Sequence, residues 1–149
     1  MDEMIFEVIE FAIEKEQEAV DFYNGLAEKV KQPELKVEIK KLAGMEAAHK
    51  RKLQELNPAD PFWSEKKSIT NLKIAEYMVE EEVTDSMDLQ DILVVAMKRE
   101  LAAKRLYLDL AQLSIDASVK KMFEKLADEE AEHKNFFEKI WDEKVLKDN

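Results

Sequence analysis

Cysteine is absent from this 149-residue chain, which excludes disulfides, thiolate metal sites, iron–sulfur clusters and thiol redox chemistry. Glycine and proline are scarce, at two and three residues, so the sequence has little of the turn chemistry a sheet protein needs. Positive charge is the minority: 23 Lys and Arg against 34 Asp and Glu leave a formal charge of −11. That balance argues against nucleic acid or an anionic membrane as a partner, and solubility accounts for most of it. Long apolar runs are missing too. The stretch Ile92-Leu93-Val94-Val95-Ala96-Met97 is far too short to span a bilayer. The start, Met1-Asp2-Glu3-Met4, lacks the basic residues of a signal peptide. The expectation is one soluble cytoplasmic domain over 1–149, large enough for a single substantial core.

Helix formers fill the remainder: charged residues make up 38% of the chain, and Glu, Lys, Leu and Ala dominate. Four segments carry apolar stripes in alternating steps of three and four, the mark of a helix with one buried face. The first runs Ile5, Ile9, Ala12, Glu16, Ala19, Tyr23, Leu26, Val30. The second is Leu35, Ile39, Leu42, Glu46, His49, Leu53, Leu56. The third is Leu89, Leu93, Ala96, Glu100, Ala103, Tyr107, Leu110. The fourth is Val119, Phe123, Leu126, Glu130, His133, Phe137, Ile140.

Punctuation separates these helices. Pro33 suits the first turn of the second helix, and Asn57-Pro58 with Pro61 stops it. Asp85, Ser86 or Asp88 can cap the third helix, and Asp116 the fourth. A long crossover, 57–87, lies between the two pairs. Within it Leu72, Ile74, Ala75 and Met78 predict a short helix around 71–82. Phe62 and Trp63 are read as packing residues of the crossover, and Glu80-Glu81-Glu82 as a solvated run. The architecture expected is all-α: a four-helix bundle of two antiparallel hairpins, joined by a connection long enough to run the height of the bundle.

The halves repeat. Residues 12–56 set against 96–140, at an offset of 84, agree at 14 of 45 positions. Among them are Glu16/Glu100, Ala19/Ala103, Tyr23/Tyr107, Leu42/Leu126, Glu46/Glu130 and His49/His133. A duplicated hairpin, 3–56 and 87–140, is the natural inference.

The chain's only two histidines both close a Glu-x-x-His motif, Glu46-Ala-Ala-His49 and Glu130-Ala-Glu-His133. Residues three apart share a helix face, so each motif can aim a carboxylate and an imidazole at one point. Glu16 and Glu100 each precede a motif by 30 residues. All four glutamates interrupt apolar stripes near their centres. Each lies about 15 residues from its hairpin turn, roughly 22 Å at ~1.5 Å per residue, so antiparallel packing brings them to one height. Four buried carboxylates without compensation would be costly, and the stripes contain no cation. Two divalent metals balance them: −4 from the glutamates, nothing from neutral imidazoles, +4 from the ions. Oxygen donors with one imidazole per metal suit iron or manganese, with zinc a possible substitute. Glu16 and Glu100 would each serve one metal, Glu46 and Glu130 would bridge, and His49 and His133 would complete one metal each.

A glutamate on two helices and Glu-x-x-His on the other two is the ligand set of ferritin-like di-iron carboxylate bundles. Within that group the chain most resembles rubrerythrin. The segments Glu16-x-x-Ala19-x-x-Phe22-Tyr23 and Leu42-Ala43-x-x-Glu46-x-x-His49, with their counterparts at 100–107 and 126–133, carry the likeness. It spans 3–56 and 88–145. The resemblance implies iron binding, and it implies Tyr23 and Tyr107 as donors to the ligand carboxylates, although both also fit as plain core aromatics. Two departures stand out. Rubrerythrin proper carries a cysteine-rich rubredoxin domain, which this chain lacks, so electrons must come from a separate donor protein. Where rubrerythrin has a further carboxylate three residues past its third-helix glutamate, this chain has Ala103.

The activity expected is that of a di-iron oxidoreductase reducing hydrogen peroxide or dioxygen. Iron handling as a ferroxidase is the alternative, and a metal-stabilised bundle with no catalytic role is the third. Phe136, Phe137 and Trp141 are read as core or homodimer contacts, and Met45 and Met97 as gap fillers. Gly44, inside the second helix, is given no role.

Overall fold

The computed structural model describes residues 3–56, 74–79 and 82–143. Four long helices account for nearly all of them, and no strand occurs among the described residues. The chain divides into two compact units, Met1–Pro61 and Phe62–Asn149, each containing one hairpin of the repeat.

In the first unit α1 spans Glu3–Lys29 and α2 spans Pro33–Glu55. Only three residues join them. Pro33 occupies the first turn of α2, where its missing N–H costs nothing, and Val30 N–H still donates to Leu26 O at 3.2 Å to close α1. So short a link makes the helices antiparallel neighbours. The stripes meet expectation: Ile5, Ile9, Ala12, Tyr23, Leu26 and Val30 are buried on α1, and Ile39, Leu42 and Leu53 on α2. Ala19 is half-buried. The helix-stop residues Asn57, Pro58 and Pro61 lie outside the described residues; α2 ends at Glu55, with Leu56 as its C-cap.

In the second unit α3 spans Leu89–Leu113 and α4 spans Ala117–Trp141. Of the three candidates Asp88 caps α3, accepting from Asp91 N–H at 2.9 Å. Asp116 accepts from both Ser118 and Val119 N–H, at 2.8 and 3.1 Å, and so satisfies two of the orphan donors that open α4. At the other side of the turn Ser114 Oγ donates to Leu110 O at 2.8 Å. The core face is aromatic at its centre. Tyr107 and Phe123 stack with centroids 6.2 Å apart, and both are fully buried.

The crossover departs from expectation. Of the stretch 71–82, where one helix was expected, the described residues 74–79 and 82 hold a 3-10 turn at Ile74–Tyr77 and no α-helix. Met78, counted with the apolar side of that helix, is 55% exposed. An isolated helix of that length is marginal in water and needs packing to persist. Here the packing centres on one residue the apolar pattern did not mark. Tyr77 is buried, its hydroxyl donates to Asp109 Oδ2 on α3, and the Arg105 guanidinium lies 5.9 Å from its ring centroid. Burial and the neighbouring carboxylate push the Tyr77 pKa well above its usual value of 10.0. Phe62, Trp63, Leu72, Glu80 and Glu81 lie outside the described residues.

Candidate metal centre

Each hairpin carries one carboxylate–imidazole triad, built the same way. On α2, Glu46 and His49 are one turn apart and share a face, and α1 contributes Glu16 across the hairpin. The imidazole Nδ1 of His49 lies 3.7 Å from Glu16 Oε2 and 3.5 Å from Glu46 Oε1. On α4, Glu130 and His133 repeat the motif, and α3 contributes Glu100. His133 Nδ1 lies 3.7 Å from Glu100 Oε2 and 3.9 Å from Glu130 Oε1. Within each hairpin, residues equidistant from the turn have come to one level, as their spacing requires.

All six side chains belong to residues no more than 2% exposed. Their neighbours along the helices are apolar: Ala12, Tyr23 and Leu42 in the first hairpin, Ala96, Tyr107 and Leu126 in the second. Two carboxylates in such surroundings repel each other and forgo hydration, at a cost of several kcal/mol per ion.

The distances leave room for an ion between these groups. A hydrogen bond from imidazole to carboxylate would draw the heavy atoms to about 2.8 Å, and 3.5–3.9 Å is too long for one. An ion with bonds of about 2.1 Å to nitrogen and oxygen can join ligand atoms up to about 4.2 Å apart. These separations fall inside that reach. In each triad the three residues offer one ligand atom apiece, all within 4.8 Å of one another. The donor set agrees: two carboxylates neutralise a divalent ion, and the neutral imidazole adds a borderline donor. The residues present fit a metal.

All six metal-ligating residues expected from spacing are thus buried and gathered, three to a hairpin. Tyr23 and Tyr107 are buried two turns beyond Glu16 and Glu100 on the same helix faces. One feature beside the first triad has no sequence signature. Lys50, next to His49, donates its ammonium to Gln17 Oε1 at 2.7 Å, and Gln17 Nε2 donates to Asp21 Oδ1 at 3.0 Å. Nothing in the spacing of Gln17 or Lys50 distinguishes them from other surface residues. In the second hairpin Lys134 occupies the place of Lys50 and pairs with Glu138, because Leu101 stands where Gln17 would receive it.

Long helices paired by short turns, with Glu and Glu-x-x-His facing inward, define the ferritin-like class of carboxylate-ligated helical proteins. A solved structure of a hypothetical protein from Pyrococcus furiosus has this fold, with a TM-score of 0.68 and 28% sequence identity over 91% of this chain and 87% of that one. The rubrerythrin family model matches residues 7–142, and the chain belongs to the rubrerythrin family. No curated protein matches it. Among the described residues no helix is long and apolar enough to cross a membrane.

Proposed function

We propose that this is a non-haem di-iron protein that reduces hydrogen peroxide or dioxygen with electrons delivered by a separate donor protein. The observation that carries the reading is the pair of buried triads, Glu16, Glu46, His49 and Glu100, Glu130, His133, at separations suited to an ion. Membership in the rubrerythrin family supports iron over manganese or zinc. One ion per triad makes each hairpin electrically neutral at its centre, with two negative charges against two positive. Bound iron would supply the two electrons that, with two protons, convert hydrogen peroxide to two molecules of water.

The chain's own part is positional. Each Glu-x-x-His aims its two donors from one helical turn, so the imidazole and carboxylate hold their relative placement without loop motion. Aromatic and aliphatic neighbours exclude bulk water, which strengthens every charge interaction inside. The phenols of Tyr23 and Tyr107 serve as donors that steady the ligand carboxylates. Without cysteine, the chain has no thiolate cluster of its own to relay electrons, which is why the donor is placed in another protein, in a cytoplasmic setting.

Metal analysis of protein purified from iron-replete cells tests the site. The expectation is two irons per chain, lost in Glu46→Ala and Glu130→Ala variants; iron content unchanged in both would end the assignment. Stopped-flow mixing of the anaerobic ferrous protein with peroxide tests the reaction, which should produce a ferric absorbance change. Sustained turnover should require an added donor.

A further inference from the structure

The two Glu-x-x-His helices agree on their buried faces and differ on their outer ones. On α2 the positions Lys40, Gly44, Ala48 and Arg51 follow steps of four, four and three, and so lie along one side of the helix. At about 3.6 residues per turn that side is opposite Leu42, Glu46, His49 and Leu53, all of them buried. Lys40, Gly44 and Arg51 are exposed, and Ala48 is half-buried. The counterparts on α4, at the offset of 84, are Glu124, Asp128, Glu132 and Asn135, and all four are exposed. The second repeat thus sets its ligands behind an acidic face. The first sets them behind a basic face with small residues at its centre.

Packing within the chain accounts for neither difference. An added Cβ at Gly44 meets nothing within 4 Å, and glycine in an exposed helix interior costs stability relative to alanine. The charge is equally local: α2 carries six Lys and Arg against four Glu, in a chain of net charge −11. A basic face on an acidic protein draws acidic partners to itself while the remaining surface repels them. Lys40 and Arg51 are eleven residues apart, about 16.5 Å of helix, a compact face matched to a small protein and not to an extended polyanion. Gly44 has no side chain and Ala48 only a methyl group, so a docked surface there reaches the helix backbone. Less than the breadth of one helix, about 10 Å, then separates it from Glu46 and His49. Electron tunnelling falls exponentially with distance, and the barrier is thinnest at this point.

We infer that the outer face of α2, Lys40–Gly44–Ala48–Arg51, is where an acidic one-electron donor protein docks to reduce metal held by Glu46 and His49. The inference rests on the di-iron reading, in which the donor is a separate protein. Each electron passed oxidises one donor molecule and reduces one ferric ion to ferrous, with no bond made or broken. Two such transfers supply the two electrons that peroxide consumes. The basic residues at the ends of the face set the docking, and the small centre sets the distance.

Anaerobic stopped-flow reduction of the ferric protein compares two reductants. One is reduced flavodoxin, a small acidic one-electron carrier, and the other is dithionite, an inorganic reductant that needs no docking. With flavodoxin the second-order rate should fall steeply as salt rises. Lys40→Glu with Arg51→Glu should lower that rate about tenfold or more and flatten its salt dependence. Calorimetric titration with oxidised flavodoxin should show binding weakened about tenfold as well. Iron content and reduction by dithionite should not change. Ala48→Phe leaves the charges in place, so it should preserve binding and slow the transfer itself. Flavodoxin rates indifferent to salt and to these variants would overturn the inference. So would variants that lose iron or slow with dithionite too, or a face that binds a single-stranded oligonucleotide as tightly as flavodoxin. A chain with no iron to reduce would defeat the di-iron reading and this inference together, whereas iron reduced by flavodoxin at one rate in every variant would defeat the docking face alone.

Discussion

His49 Nδ1 and Glu16 Oε2 face each other across the first hairpin at 3.7 Å, too far for a hydrogen bond and within the span of one shared ion. The second repeat reproduces the same separation between His133 and Glu100. The two hairpins of the repeat share one ligand geometry, and that agreement has thermodynamic consequences.

Neutralising a ligand should move the metal-free and metal-loaded proteins in opposite directions. Glu46→Gln keeps shape and removes one of two like charges buried in its hairpin. The metal-free protein should gain about 1–3 kcal/mol and melt higher. The increase in melting temperature on adding ferrous or manganous ion should shrink at the same time. Thermal melts with and without metal decide it; a variant destabilised in both states would show that the carboxylate is not under electrostatic strain.

Chelation should act through mass action. Metal that binds only the folded chain stabilises it by about 2.7 kcal/mol at a free concentration one hundred times Kd. Dialysis against a chelator should lower the melting temperature, and the loss should track free metal concentration logarithmically. His49→Ala should remove the part due to the first triad and leave the second.

Tyr77 should make the crossover sensitive to alkali. Its pKa in the folded protein is raised, chiefly by burial and then by Asp109, so the folded state prefers the protonated phenol. The sign follows: the contribution is complete below the ordinary tyrosine value of 10.0 and is lost as pH climbs from there toward the raised value. Protease susceptibility in the crossover should rise above about pH 10. Tyr77→Phe should cost about 1–2 kcal/mol at neutral pH and abolish that pH dependence.

Two helix-interior glycines offer a stabilising test. An added Cβ at Gly25 or Gly44 meets nothing within 4 Å, and neither residue has a positive φ. Gly25→Ala and Gly44→Ala should each stabilise by about 0.5–1 kcal/mol through helix propensity. Denaturant midpoints measure this. A loss of stability at Gly44, two residues from Glu46, would reveal a role for backbone freedom near the ligands.

Removing the cap of α4 tests the hairpin turn. Asp116→Ala leaves the N–H groups of Ser118 and Val119 without their acceptor and should cost about 1 kcal/mol, whereas Asp116→Asn should restore most of it.

The stripes were legible because helical burial is periodic, and a glutamate or histidine in mid-stripe must point where its apolar neighbours point. Glu16, Glu46, His49, Glu100, Glu130 and His133 needed only counting, since equal distance from a short turn places residues of an antiparallel pair at one level. The crossover was not legible. Its apolar residues promised a helix over 71–82, whereas the described residues there form a 3-10 turn at Ile74–Tyr77, anchored through Tyr77.

Local pattern along the chain therefore determined the four helices, their partners within each hairpin and the six buried side chains that gather three to a hairpin. Tertiary structure alone decided which of several possible caps opens α3, that Tyr77 and not Met78 turns inward, and that Lys50 reaches Gln17. The last two depend on contacts between residues remote in sequence, Tyr77 with Asp109 and Lys50 with Gln17. A periodicity records only which face a residue occupies, never what waits opposite.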